Sequence, residues 1–197
     1  MTESTLRATD SRTVRTVAAI EAAVREALRD IPLDDLTVAE ICRRAQVGRP
    51  SFYTHFASIP ELVAHILTAE IDDALPIPGV ERVATESIEP AINANFAAAI
   101  ELVAHDRELY RAVFVSASSG VLRSALERAI EVRVRNIIAI WQERGIVGEV
   151  DIVVAVPVVT GGIARALEAW AFEDGTDAPE RARAIRDQMP RWWPFPE

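Results

Sequence analysis

A chain of 197 residues, 50% of them hydrophobic, can bury a substantial core and has room for a small module beside a larger one. The single cysteine, Cys42, excludes an intrachain disulfide, and with only His55, His65 and His105 besides it neither a metal site nor a cofactor is expected. The polar start Met1–Asp10 lacks the apolar core of a signal peptide, and no apolar run of about 18 residues is free of charge, so the expectation is a cytoplasmic protein without a membrane span.

A net charge of −9 argues at first against a nucleic-acid partner, because phosphate affinity comes largely from basic side chains that displace counterions. The distribution of that charge points the other way. Residues 1–56 balance eight arginines against eight acids, residues 57–197 carry the whole excess, and residues 41–56 hold Arg43, Arg44 and Arg49 with no acid. A locally basic surface on an acidic body would hold DNA at one end and repel it elsewhere.

In chain order, residues 1–12 lack apolar periodicity and read as a flexible arm whose Arg7 and Arg12 could order in a minor groove. From Thr13 to Asp30 the apolar positions Val17, Ile20, Val24, Ala27 and Leu28 form a helical stripe suited to bracing the next two elements. Residues 37–56 read as two short helices joined by a tight turn, a helix-turn-helix. Thr37 and Glu40 have the spacing of a capping box, and Pro50 sits where a missing N–H costs nothing. Ile41, Ala45, Val47, Phe52 and Phe56 supply the buried contacts, which leaves Arg49, Ser51, Tyr53, Thr54 and His55 facing outward.

Ser58 and Glu61 open a further capping box, and Leu62, Val63, Ile66, Leu67 and Ile71 repeat at helical spacing to Leu75. Pro76, Pro78 and Gly79 mark a boundary, dividing the chain into a helix-turn-helix domain with its connecting helix over 13–75 and a second domain over 76–197. Beyond it helices are expected near 87–104, 106–116, 121–144, 150–172 and 178–189, for an all-α fold of about nine helices. The Val-rich run Val150–Thr160 would suit a buried strand, but no second strand is evident to pair with it, so a helix kinked at Pro157 is preferred.

The run Thr37-Val38-Ala39-Glu40-Ile41, then Val47, then Phe52-Tyr53-Thr54-His55-Phe56 and Ser58-Ile59-Pro60-Glu61-Leu62 resembles the amino-terminal domain of the tetracycline-repressor (TetR) family of transcriptional regulators. The likeness covers about the first third of the chain. Gln46 stands where the family has Gly in the turn, Gly48 where it often has a capping Ser, and Ile59 where it usually has a Lys near a phosphate. The resemblance implies that Thr37, Tyr53 and His55 hold backbone phosphates, and that the last two long helices form a two-fold dimer interface. Arg43 and Arg44 are added as phosphate candidates, and Arg49, Ser51 and Thr54 as candidates for reading base edges.

In the second domain Phe96, Tyr110, Phe114, Trp141 and Trp170 fall on different expected helices and could converge on a cavity for a small, mostly apolar effector. The expected function is a ligand-responsive homodimeric regulator, a repressor by resemblance, bound to a palindromic operator. The alternative is a helical protein-interaction module without DNA binding. No phosphate loop, nucleophile elbow or His-x-x-x-His pattern supports an enzyme.

Overall fold

The computed structural model describes residues 3–76 and 88–194. Among them are nine α-helices and a 3-10 turn: α1 (Glu3–Ala27), the turn Leu33–Asp35, α2 (Val38–Ala45), α3 (Arg49–His55), α4 (Ile59–Ala74), α5 (Ile88–His105), α6 (Arg107–Val115), α7 (Ser119–Glu143), α8 (Ile152–Phe172) and α9 (Ala178–Arg186). The chain divides into two units, Met1–Ile66 with Ala112–Leu122, and Leu67–Arg111 with Arg123–Glu197. The division falls inside α4 rather than at Pro76, because an unbroken helix can belong to one unit at its start and another at its end. Pro78 and Gly79 lie outside the described residues.

In the first unit, α1 buries Ile20, Ala23, Val24 and Ala27 against α2 and α3, the face that the apolar stripe defines. The helix starts at Glu3, so the segment 3–12 read as a flexible arm is helical. That segment holds no Gly or Pro, and without a breaker the apolar stripe downstream has nothing to end the helix toward the amino terminus. Asp34, in the 3-10 turn, accepts from the backbone N–H of Ala117 at 3.0 and 2.9 Å, which ties the turn to the segment entering α7.

In the second unit α5 packs on both α8 and α9. The Trp170 indole N–H donates to the Ile100 carbonyl at 3.0 Å, pinning the end of α8 to α5. Arg107 and Arg111 reach the last carbonyls of α8, with 3.1 Å to Trp170 and 2.6 Å to Ala171, where a cation meets the negative end of the helix dipole. The Arg107 guanidinium also lies 4.3 Å over the Trp170 ring. Arg123 of α7 holds Glu168 of α8 through a bidentate pair at 3.0 and 2.8 Å, and this keeps the Glu168 carboxyl below the usual range.

Val150–Thr160 is helical from Ile152, with Asp151 capping the Val153 N–H at 3.1 Å and Pro157 inside the helix. By length and composition α8 is long and apolar enough to cross a membrane. It carries Arg165 and Glu168 as an ion pair, and Ala155, Val156, Val159, Ala164, Leu167 and Trp170 are buried within the fold.

Candidate nucleic-acid interface and cavity

The turn of the helix-turn-helix is a Schellman motif. The Gln46 N–H donates to the Arg43 carbonyl at 3.3 Å and the Val47 N–H to the Cys42 carbonyl at 3.0 Å, satisfying carbonyls that the end of α2 would leave open. Gln46 adopts φ 55 to make this turn, the one left-handed non-glycine among the described residues. Gly48 then caps α3 with an extended backbone and offers no side-chain bond, and Pro50 occupies the first turn. Phe52 is fully buried and Phe56 nearly so, their rings 5.9 Å apart, so α3 is anchored from its inner face.

Its outer face is polar. Arg49, Pro50, Ser51, Tyr53 and Thr54 are exposed and His55 is half-buried at the carboxyl end. Tyr53 is 58% exposed, and its ring stands edge-on to Phe52 at 5.4 Å, so the buried Phe fixes the direction in which the phenol projects. The Arg49 guanidinium has no hydrogen-bond or ion-pair partner among the described residues. Thr54 donates its hydroxyl hydrogen to the Pro50 carbonyl at 2.9 Å, which leaves the oxygen only its acceptor capacity.

Thr37 caps α2, its hydroxyl accepting from the Glu40 N–H at 3.2 Å. The return half of that capping box is absent, because Glu40 turns to two arginines instead: 2.9 and 2.6 Å to Arg43, and 2.7 Å to Arg44. Those guanidinium bonds hold the Glu40 carboxyl at about 2. The two arginines divide their roles. The Arg43 side chain is 69% exposed, whereas that of Arg44 is 11% exposed and reaches Asp30 at 2.8 Å and Glu26 at 3.4 Å, against α1 and the turn after it. Arg44 is thus occupied in joining α2 to α1, and sequence periodicity could not separate it from its neighbour. At the start of α4 the Ser58 hydroxyl accepts from the Glu61 N–H at 3.3 Å, while the Glu61 carboxylate reaches one residue past the capping-box position and accepts from the Ala57 N–H at 2.7 Å.

The second unit holds an open-mouthed, largely apolar cavity of about 130 Å³, walled by α4, α5, α6, α7, α8 and Trp193. Phe96 and Tyr110 line it; Phe114, Trp141 and Trp170 do not. Trp141 packs edge-on against Trp193 at 4.6 Å, and Trp170 is engaged by Ile100 and Arg107. Most of the wall is aliphatic, including Ile71, Ile130, Val134 and Ile137, and such residues carry no chemical signal that sets a cavity wall apart from a core. Trp193 could have been found from its place in an aromatic chain end, which needs cover from water.

The described residues combine a helix-turn-helix whose second helix bears an exposed polar face with a cavity among the helices of the second unit, and the first of these is an arrangement suited to binding DNA. The chain matches, over residues 20–66, the family model described as bacterial regulatory proteins, tetR family. No curated protein matches it in sequence. Among solved structures it is similar to the Bacillus subtilis regulator FadR in complex with stearoyl-CoA, at 16% identity over 85% of this chain and 94% of that one, with a TM-score of 0.64. It is also similar to RolR in complex with resorcinol, at 16% identity over 93% and 100% of the two chains and a TM-score of 0.59. A third is the dihydroxyacetone kinase operon activator DhaS, at 13% identity over 87% and 92% and a TM-score of 0.65. These likenesses show a shared fold.

Proposed function

We propose that the chain is a homodimeric repressor whose operator affinity is altered when a small, mostly apolar effector occupies the cavity. The observation that carries the DNA-binding part is the outer face of α3, where Arg49, Ser51, Tyr53 and Thr54 are exposed while Phe52 and Phe56 are buried beneath them. A helix so held offers base-edge and phosphate partners without having to reorder. Arg49 and Ser51 read bases; Thr54, with its hydrogen already donated, accepts from an adenine or cytosine amino group. Thr37, Arg43, Tyr53 and His55 hold phosphates, and Arg44 leaves this set because its guanidinium braces the domain.

The dimer reading is supported by α8. Val153, Val154 and Val158 are 79%, 57% and 60% exposed, and a Cβ built at Gly161 or Gly162 would meet nothing within 4 Å. An apolar stripe with small residues at its centre suits close packing against its two-fold copy. Two reading helices so related fit a palindrome whose half-sites lie roughly 34 Å apart. The effector reading is supported by the cavity and by FadR and RolR, which share the fold and whose structures hold stearoyl-CoA and resorcinol.

The test is selection of bound duplexes from a random pool by the full chain. An enriched palindrome is expected, with affinity falling steeply as salt rises. Transcription from a promoter carrying that palindrome should drop when the protein is added. Indifference to duplex sequence at low salt would defeat the reading and favour the protein-interaction alternative; increased transcription would overturn the repressor sign alone.

A further inference from the structure

Among the described residues the cavity wall contains a single charged side chain, Arg133 of α7, and no acid. The remaining polar lining residues are Asn95, Tyr110 and Asn136. Arg133 is 16% exposed, and nearly all its donors are engaged at one place, the carboxyl end of α4. Its Nε donates to the Leu75 carbonyl at 2.8 Å, and its Nη2 donates to the Ile71 carbonyl and to Asp72 Oδ1, both at 2.9 Å. Its Nη1 donates to the Ala129 carbonyl of its own helix at 2.8 Å, and the second hydrogen on that nitrogen has no acceptor among the described residues. One guanidinium therefore both lines the cavity and caps the last turn of α4, adding to the bond that the Ile71 carbonyl accepts from the Leu75 N–H at 2.9 Å.

Resting on the reading of the cavity as an effector site, we propose that Arg133 is its sensing residue. It recognises an apolar ligand ending in a carboxylate, and it does so by exchanging its hold on the end of α4 for the ligand. A carboxylate is the acceptor that fits. It offers the guanidinium a bidentate, charge-assisted pair worth roughly twice a neutral bond, which a ketone or alcohol oxygen cannot match against two carbonyls and an aspartate. The charged group left behind loses little, because Asp72 is 61% exposed and regains water when its partner leaves. The aliphatic wall takes the rest of the molecule. Helix α4 runs unbroken from Ile59, in the first unit, to the turn that Arg133 holds, so a change in that turn is delivered to the helix next after the reading head.

The experiment compares decanoate with methyl decanoate on the full chain, each displacing the neutral dye Nile red. The wild type is expected to bind the acid about tenfold or more tightly than the ester, and Arg133→Gln to erase the difference by weakening the acid alone. Because Arg133→Gln removes the α4 clamp and could unfold the protein, Asp72→Asn serves as the second variant. By removing the charged competitor it is expected to tighten decanoate several-fold and leave the ester unchanged. Amide hydrogen exchange at the end of α4 should quicken with decanoate and not with the ester. Equal affinity for acid and ester in the wild type overturns the Arg133 assignment while the cavity stands as a ligand site. Failure of Nile red itself to bind takes down the cavity reading and this inference together.

Discussion

Arg44 lies 2.8 Å from Asp30, joining the second helix of the first unit to the turn that succeeds α1. With Glu40 at 2.7 Å and Glu26 at 3.4 Å the same guanidinium has three acidic partners while its side chain is 11% exposed. Isolated surface pairs contribute little, but a screened arginine shared by several acids fixes the angle between two helices. Arg44→Ala should therefore lower the melting temperature by several degrees and weaken binding to every duplex in proportion to lost fold. Arg43→Ala, at an exposed position with Glu40 its one acidic partner, should lower the melting temperature less than Arg44→Ala does and reduce the slope of affinity against salt by about one. Thermal melts beside salt titrations check the pair; equal melting temperatures for the two variants would remove Arg44 from its bracing role.

Glu40 gives that brace a pH dependence. Its carboxyl falls from 4.5 to about 2, first through the hydrogen bond from Arg43 and then through that from Arg44. A carboxyl with a depressed folded value stabilises the native state above the unfolded value, and that stability disappears as pH falls through the folded one. The loss attributable to Glu40 should thus run from about pH 4.5 down to about pH 2, and Glu40→Gln should lack it while being less stable than wild type at pH 7. Urea unfolding at several pH values compares the two; parallel curves throughout this window would show that the pairs do not bias the proton.

Gln46 carries the strain of the turn. With φ 55 and ψ 38 it holds a conformation that a side chain disfavours and glycine accepts, while both of the Schellman bonds are made by backbone atoms that any residue has. Gln46→Gly should stabilise the protein by up to about 1 kcal/mol, and Gln46→Val should destabilise it by more than that, with the turn unchanged in shape. Denaturant midpoints at constant slope are the measure. A destabilised Gly variant would mean that the Gln side chain contributes more than the strain removes.

The features legible in the sequence are those that local chemistry sets. Thr37, Pro50 and Ser58 each mark a helix start, and the aromatic anchors Phe52 and Phe56 define which face of α3 is left outside. The misreadings come from relations that sequence spacing does not carry. Arg44 finds Glu26 and Asp30 at separations of 18 and 14 residues, beyond any helical period, so in sequence it resembles a second solvent-facing arginine. The amino-terminal segment has no stripe to announce a helix, but it also has nothing to stop one. In the cavity, aromatic residues draw attention by their chemistry, whereas the wall is built mainly of Ile, Leu and Val, with Arg133 concealed among the charges of a long helix.

Exposed valines on α8 make the proposed dimer testable. Val154 and Val158 sit one turn apart and are 57% and 60% exposed, so a charge at either faces water in a monomer and a copy of itself in a two-fold pair. Val158→Glu should leave the helix content unchanged and shift the sedimentation coefficient from dimer to monomer, with operator affinity lost because half-sites are no longer held together. A dimeric Val158→Glu protein with wild-type affinity would move the interface elsewhere.

Arg49 and Tyr53 separate reading from holding. Arg49 opens α3 with an exposed guanidinium that no described residue engages, whereas the Tyr53 ring leans on buried Phe52 and projects its hydroxyl outward. If Arg49 forms a bidentate pair with a guanine, Arg49→Ala should cost about 1 to 3 kcal/mol on the selected palindrome and much less on random duplex, relaxing preference at one base position per half-site. Tyr53→Phe keeps the ring contact and loses the hydroxyl, so it should weaken all duplexes by a similar factor and leave the melting temperature alone. Gel-shift titrations on matched and scrambled duplexes read both. Equal losses for Arg49→Ala on the two would make it a phosphate contact, and a large fall in melting temperature for Tyr53→Phe would place that hydroxyl in the fold rather than at the DNA.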